Sequence, residues 1–162
     1  MAEYLMGIDA GTGSVRVALF DFRGQNRAYA VAEYGTTYPK NGWAEQSDYE
    51  WFEALKKAIP ECIKKAGIAA DNIAAITCDA TTNTLVYLDE NDTSVRPPIL
   101  WMDVRATEEA SFIDTIREEY DATKFYKPGF RADTMVPKCM WVKKNEPENW
   151  AKTKTIMEFE DW

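Results

Sequence analysis

Apolar and polar residues follow a strand-like pattern over the first quarter of the chain. Two mostly apolar segments, Tyr4 to Ile8 and Val15 to Phe20, are followed by Gln25 to Thr37, which alternates in part. Turn signals separate them, because Asp9 to Ser14 holds two glycines and Asp21 to Gly24 ends in glycine. Short apolar runs joined by short turns are typical of antiparallel strands. The pattern therefore predicts a three-stranded meander that begins with a β-hairpin.

A helix is predicted after this meander. Ser47-Asp48-Tyr49-Glu50 has the form of a capping box, in which Ser47 accepts from the third amide and Glu50 reaches back. We expect the helix to stop at Gly67 and to be kinked or split at Pro60. Its apolar residues recur at helical spacing, which indicates core packing: Trp51, Phe52, Leu55, Ile59, Cys62 and Ile63.

The rest of the chain mixes strands and helices. Ile73 to Cys78 is predicted as a short buried strand, parallel to an earlier one through a right-handed crossover. Asp79 to Asn83 is predicted as a polar loop, followed by a strand from Thr84 to Leu88. Further helices are predicted at Ala106–Tyr120, Met135–Lys144 and Pro147–Ala151, with a basic-aromatic loop at Lys124–Arg131.

The turn of the first hairpin carries candidate chemistry. Gly11, Thr12, Gly13 and Ser14 offer clustered backbone N–H groups and two hydroxyls, which suit an anion. Asp9 adds the single carboxylate that a Mg²⁺–phosphate ligand needs. A phosphate-binding hairpin is thus one interpretation, and an ordinary glycine-rich turn is the other. The Gly-Lys-Ser/Thr ending of a Walker A loop and the third glycine of a dinucleotide fingerprint are both missing.

Composition narrows the possible functions. A net charge of −8 provides no broad basic surface for nucleic acid or an anionic membrane. No apolar run approaches the roughly 20 residues of a membrane span, and Met1-Ala2-Glu3 does not open a signal peptide. The three cysteines are widely spaced and histidine is absent, which argues against a zinc site and excludes nucleophile–histidine catalysis. We therefore expect a cytoplasmic protein with reduced thiols, whose acid–base chemistry relies on Asp, Glu, Lys or Tyr.

Several motifs resemble those of one known family. Asp-x-Gly-Thr-x-Ser-x-Arg from Asp9 to Arg16 is similar to the first phosphate motif of the FGGY carbohydrate kinases. The segments Tyr38–Gln46, Ile73–Ile76 and Pro98–Ala106 also resemble that family, in order and at its spacing. The resemblance implies an α/β fold of the ribonuclease-H-like (actin-like ATPase) class, with a mixed sheet, an N-terminal antiparallel meander and flanking helices.

The resemblance also implies roles at the hairpin. Gly11, Thr12, Gly13 and Ser14 would cradle the phosphates of ATP, and Asp9 would hold Mg²⁺ through water. Arg16 would lie near the phosphates. The alternatives are a surface ion pair for Arg16 and a turn-capping carboxylate for Asp9.

On the sugar side, the loop Asp79-Ala80-Thr81-Thr82-Asn83 lies where the family contacts its substrate, and Asp-Ala-Thr is closest to the ribulose-kinase-like branch. Asp79, Thr81, Thr82 and Asn83 are therefore candidate substrate contacts, unless this loop only caps a strand.

A second candidate segment for the sugar runs from Trp101 to Arg105. The Trp101 face would stack on sugar C–H groups, while Asp103 and Arg105 would bond hydroxyls or brace each other. The alternative is a Trp packed in the core beside a structural Asp–Arg pair.

These implications lead to one main hypothesis. We expect residues 1–162 to be the N-terminal actin-like domain, truncated, of a kinase that phosphorylates a ketopentose or related polyol. The family's catalytic base, in a Gly-x-x-Asp context, and its adenosine motif are not found, so we expect the chain alone to be inactive. Whether the protein forms a homodimer is left open by the sequence. The alternatives are a non-catalytic nucleotide-binding module of the actin or heat-shock type and a stand-alone structural domain.

Overall fold

The structure is a computed structural model that describes residues 3–120 and 129–162. The chain forms two compact units. The first consists of Met1–Thr36 and Ser47–Thr81, and the second of Thr37–Gln46 and Thr82–Trp162. Residues 124–128 of the predicted basic-aromatic loop lie outside the described residues.

The first unit is built on a four-stranded mixed sheet. Strands β1 (Tyr4–Ala10), β2 (Ser14–Asp21) and β3 (Asn26–Glu33) are antiparallel neighbours, and β4 (Ile73–Ala80) pairs parallel with β1. The order in the sheet is β3-β2-β1-β4. The predicted meander and the predicted parallel pair are both confirmed.

One helix covers one face of this sheet. Helix α1 (Asp48–Ala66) begins at Ser47, whose side chain accepts from the Glu50 N–H at 3.4 Å, and ends at Gly67 with φ 68°. The predicted start and stop are therefore confirmed. The core consists of alternate strand residues against three small helix residues: Met6, Ile8, Val15, Val17, Leu19, Ala28 and Ala30 with Ala54, Ala58 and Cys62.

The structure corrects two expectations for this unit. The predicted split at Pro60 is wrong, because α1 runs as one helix from Asp48 to Ala66; the predicted kink stays a prediction. Proline removes a single N–H, and the packing of Ala58 and Cys62 on either side of it holds the helix to the sheet.

The second wrong expectation concerns β4, which is not a buried strand. Ile76 is 57% exposed and Cys78 is also exposed, because β4 lies at the edge of the described sheet while α1 packs on β2 and β3. The strand also continues through Asp79 and Ala80, which the sequence placed in a loop.

The second unit contains a small antiparallel sheet and several helices. Strand β5 (Leu85–Leu88) pairs with β6 (Thr155–Glu158). Helix α2 (Thr107–Ile116) is shorter than predicted, since residues 117–119 form a 3₁₀ turn.

Two more helices of this unit match their predictions, with their ends shifted by one residue. These are α3 (Met135–Asn145) and α4 (Pro147–Lys152). A compact core is formed by Leu85, Tyr87, Ile99 and Val142. Among the described residues, none of the helices combines the length and apolarity needed to cross a bilayer.

Candidate functional site

The β1–β2 hairpin holds its candidate residues in a fixed register. Asp9 on β1 lies directly opposite Arg16 on β2, and the Gly11 N–H donates to the Ser14 carbonyl at 3.0 Å across the turn. The two glycines of the motif therefore lie at the tip of a closed hairpin, with the two charged side chains just behind it. This arrangement brings the candidate phosphate residues together in one unit.

Asp9 and Arg16 form an ion pair at the edge of this hairpin. Nη1 of Arg16 donates to Oδ2 of Asp9 at 2.8 Å, and each side chain is 49% exposed. The hydrogen bond from Arg16 to Asp9 raises the pKa of Arg16, so the guanidinium stays charged. An exposed pair of this kind contributes little to stability, and both charges remain within reach of a ligand. The predicted roles at the phosphates and at Mg²⁺ stay predictions.

Gly13 has no steric reason within the hairpin to be glycine. Its φ is not positive, and a Cβ placed on it would meet nothing within 4 Å. Gly24 and Gly67 of the first unit, by contrast, each have a positive φ that favours glycine. The open space over Gly13 leaves its backbone free for close approach by another group.

Tyr34 is a residue of this site that sequence reasoning missed. It follows β3 directly, its N–H donates to the Gly13 carbonyl at 3.2 Å, and its hydroxyl donates to the Gly11 carbonyl. Burial, together with the charge of Asp9, raises the pKa of Tyr34 to about 12, so the hydroxyl keeps its proton. The only signal in the sequence is a tyrosine just past a strand, and the strand register alone decides what it contacts.

A second carboxylate lies beside Asp9. The parallel register of β1 and β4 places Asp79 opposite Asp9, at the strand separation of about 4.8 Å. Both residues line a concave region of about 330 Å³, together with Gly7, Arg16 and Thr77. The donor set of carboxylates and a threonine hydroxyl suits a hydrated Mg²⁺, which takes one or two protein carboxylates.

The other half of the predicted loop belongs to the second unit, since the boundary between the units falls after Thr81. Thr82 is exposed, and Asn83 adopts a left-handed backbone with φ 58°. The Asn83 N–H donates to Oε2 of Glu158 at 3.0 Å, and its carbonyl accepts from Nζ of Lys138 at 2.6 Å. Two charged groups therefore hold this bend in place.

Lys138 is the second residue that sequence reasoning missed. Its side chain is fully buried, and Nζ donates to the carbonyls of Asn83 and Leu100, the latter at 2.8 Å. Burial lowers the pKa of Lys138 to about 8, against the opposing influence of nearby carboxylates such as Asp103. This one ammonium group ties the Asn83 bend to the residue that precedes Trp101.

Trp101 itself is accessible. The residue is 43% exposed, and its backbone N–H donates to Oγ1 of Thr84 at 3.2 Å. A half-exposed indole can offer one face to a ligand, as stacking on a sugar requires.

Asp103 and Arg105 are braced by each other. Both side chains are fully buried, and Nε and Nη2 of Arg105 donate to the two oxygens of Asp103 at 2.9 and 2.7 Å. Oδ2 of Asp103 also accepts from the Ala44 N–H at 2.6 Å. Nη1 of Arg105 lies 2.8 Å from Oε1 of Glu45, an ion pair without the alignment of a hydrogen bond. Of the two roles that the sequence left open for this pair, the geometry favours bracing.

Aromatic rings complete the surroundings of Arg105. Its guanidinium carbon lies 4.0 Å from the Trp43 ring centre and 5.0 Å from that of Trp141. The two rings meet edge to face at 5.1 Å. A guanidinium that contacts two aromatic rings and is paired with carboxylates is strongly fixed in position. It joins the segment of Trp43 to Glu45 with that of Trp101 to Arg105.

Comparison with known proteins identifies the family of this chain. The family model described as the FGGY family of carbohydrate kinases, N-terminal domain, matches residues 4–162. The chain belongs to the FGGY family. The resemblance inferred from the motifs is thus confirmed.

Individual FGGY relatives extend the comparison. A xylulose kinase from Lactococcus lactis is 33% identical over 154 residues, which cover 95% of this chain and 30% of that kinase. A glycerol kinase from Oleidesulfovibrio alaskensis is 31% identical over 156 residues, covering 94% of this chain and 31% of that protein. The chain therefore spans about a third of the length of these FGGY kinases.

A solved FGGY structure confirms the fold class. The structure of a xyloylose kinase from Brucella ovis matches with a TM-score of 0.87 and 26% identity, over 98% of this chain and 33% of that one. The predicted α/β actin-like ATPase class, with its mixed sheet and N-terminal meander, is correct.

Proposed function

We propose that this chain is the N-terminal part of an ATP-dependent sugar kinase that phosphorylates a hydroxyl of a ketopentose or related polyol. Membership of the FGGY family supports the proposal, as do relatives that are named xylulose kinase and glycerol kinase. The observation that carries it is the open backbone over Gly13 beside the exposed Asp9–Arg16 pair.

In this proposal the hairpin binds and orients the phosphates. The backbone amides of Thr12 to Ser14 and the hydroxyls of Thr12 and Ser14 donate to phosphate oxygens, and the guanidinium of Arg16 adds positive charge nearby. The Gly11 N–H is bonded to the Ser14 carbonyl and closes the turn. Asp9, with Asp79 opposite it, would hold Mg²⁺ through water. The bound metal would supply neutralisation of the phosphate charge. Positioning and charge stabilisation are the main contributions that a protein makes to phosphoryl transfer.

The remaining candidate residues would serve the sugar. Trp101 offers a half-exposed indole face, and Thr82 offers an exposed hydroxyl. Thr81 and Asn83 flank Thr82, while Asp103 and Arg105 would keep the Trp101 segment in place rather than contact the sugar. A sugar hydroxyl would then be directed by short polar side chains and a flat apolar surface.

The general base and the adenosine site are proposed to lie outside residues 1–162. No Gly-x-x-Asp segment and no glycine-rich adenosine motif occurs in this sequence. We therefore propose that the chain is the first domain of a longer kinase and that it binds phosphate without turning substrate over. Solubility in the cytoplasm and the absence of nucleic-acid and membrane partners belong to the same proposal.

Two measurements test the function. Titration of Mg·ADP into the ¹⁵N-labelled chain should shift the amide signals of Thr12, Gly13 and Ser14. The full-length kinase should release ADP from ATP when D-xylulose, D-ribulose or L-ribulose is added, and Trp101→Ala should raise KM for that sugar. Amide shifts without any sugar-dependent ADP release would favour the non-catalytic nucleotide-binding module. No response in either measurement would refute both and leave a structural domain.

A further inference from the structure

Tyr34 contacts the candidate phosphate turn at two points. Its backbone N–H donates to the Gly13 carbonyl at 3.2 Å, and its hydroxyl donates to the carbonyl of Gly11. One residue thus binds both glycine carbonyls of the turn, from the end of β3. The sequence motif of the family resemblance does not include this tyrosine.

A hydrogen bond to a backbone carbonyl also fixes the direction of the N–H of the next residue. In a trans peptide the C=O and the following N–H point in opposite directions within one plane. With the Gly11 carbonyl held by the Tyr34 hydroxyl, the Thr12 N–H is directed away from Tyr34. By the same reasoning, the bond to the Gly13 carbonyl directs the Ser14 N–H away from β3.

Such fixing matters most at glycine, which has the widest choice of backbone conformations. Neither Gly11 nor Gly13 is held by a positive φ, and a Cβ on Gly13 would meet no neighbour. Without the hydrogen bonds from Tyr34 these two peptide planes could rotate, and the Thr12 and Ser14 amides would lose their fixed directions. An anion site built from amides depends on their convergence, and the cost of ordering them falls on binding.

The tyrosine hydroxyl is suited to this task. Tyr34 is half-buried, and burial is the main cause of its raised pKa of about 12. The hydroxyl therefore remains a donor throughout the working pH range. The charges of Asp9 and Arg16 also act on the pKa of Tyr34, in opposite directions.

We propose that Tyr34 is a positioning residue for phosphate binding, which orients the Thr12 and Ser14 amides by holding the carbonyls of Gly11 and Gly13. The inference rests on the proposed function, since it assigns Tyr34 to the same phosphate site. It predicts that the phenolic oxygen matters for phosphate affinity although it does not touch the phosphate.

The test is Tyr34→Phe, which removes one oxygen and keeps the ring. Tyr49→Phe is the matched control, because Tyr49 is 69% exposed on α1. The probes are Mg·ADP and inorganic phosphate, each titrated into the ¹⁵N-labelled chain. Loss of one net hydrogen bond should weaken Mg·ADP binding by about fivefold in Tyr34→Phe, and by less than twofold in Tyr49→Phe.

A spectroscopic readout separates positioning from simple stabilisation. In the unligated chain, Tyr34→Phe should shift the Thr12 amide signal and accelerate its hydrogen exchange, while core amides of β2 stay unchanged. In the full-length kinase the same change should raise KM for ATP and leave KM for the sugar unchanged. A purely structural tyrosine would lower the melting temperature without either effect.

The outcomes distinguish this inference from the proposed function. If the wild type binds Mg·ADP and Tyr34→Phe binds it equally well, the inference is overturned and the kinase proposal stands. If the wild type shows no response to Mg·ADP or phosphate, both are overturned. A loss confined to Tyr34→Phe, together with the Thr12 amide shift, supports the inference.

Discussion

Replacing Lys138 by methionine should change how the stability of the chain depends on pH. Lys138→Met keeps the length of the side chain and removes the ammonium group that donates to Asn83 and Leu100. In the folded chain burial lowers the pKa of Lys138 to about 8, whereas an unfolded lysine titrates near 10.5. Between these values the unfolded chain binds more protons than the folded chain does. Stability contributed by this residue therefore rises with pH in that window.

The size of the effect follows from the gap between the two values. One pKa unit corresponds to about 1.4 kcal/mol, so the full gap from about 8 to 10.5 is worth about 3.5 kcal/mol of unfolding free energy. About 2.5 kcal/mol of this gain in stability should be present at pH 10 and almost none at pH 7. The physical cause is the desolvation of a buried ammonium, which disappears when the group becomes neutral.

The assay is urea unfolding of wild type and Lys138→Met at pH 7, 8, 9 and 10. Other titrating groups affect both proteins alike. The unfolding free energy of the wild type, relative to that of Lys138→Met, should therefore increase by about 2.5 kcal/mol from pH 7 to pH 10. Lys143→Met, an exposed lysine on the same helix, is the control and should show an increase below about 0.5 kcal/mol. A difference between wild type and Lys138→Met that stays flat from pH 7 to pH 10 would refute the reasoning.

Three further substitutions test the fold around the site. Asp103→Asn should cost about 3 kcal/mol in urea unfolding, because it leaves the buried Arg105 poorly compensated; a loss below 1 kcal/mol would mean that Glu45 suffices. Ser47→Ala should remove the cap of α1 and cost about 1 kcal/mol, and an unchanged urea midpoint would contradict this role. Gly67→Ala forces a side chain into a left-handed backbone and should lower the thermal midpoint by an amount equivalent to about 1 kcal/mol. Equal midpoints for Gly67→Ala and wild type would show that the helix end can shift.

Local patterns predicted the first unit well. Short-range signals define the hairpin around Gly11 and Gly13 and the helix from Ser47 to Gly67, and each depends on residues within a few positions of one another. The predictions failed where burial depends on which elements are neighbours in the fold. The apolar run of β4 indicated burial, yet its place at the edge of the described sheet leaves Ile76 exposed. An apolar segment favours burial, but only the topology of the fold determines whether another element packs against it.

Side-chain partners were hardest to foresee. Lys138 lies on a helix with lysines at 143 and 144, so it looks like one more solvated charge until the fold places two carbonyls around it. Tyr34 contacts a turn more than 20 residues earlier in the chain. Bracing between Asp103 and Arg105 was one of the roles left open for a segment that the family resemblance singled out. The rings of Trp43 and Trp141 near Arg105 follow from long-range packing.

The exposed edge strand gives experimenters a way to observe this molecule. Cys78 on β4 lines the same concave region as Asp9, and it is exposed, whereas Cys62 is buried and Cys139 partly buried. Burial raises the pKa of both Cys62 and Cys139, which keeps these two as unreactive thiols at neutral pH. A thiol-directed fluorophore should therefore attach at Cys78 without any prior mutagenesis. The sequence thus provides a single reporter position in the same concave region as the carboxylates on which the phosphate chemistry is expected to depend.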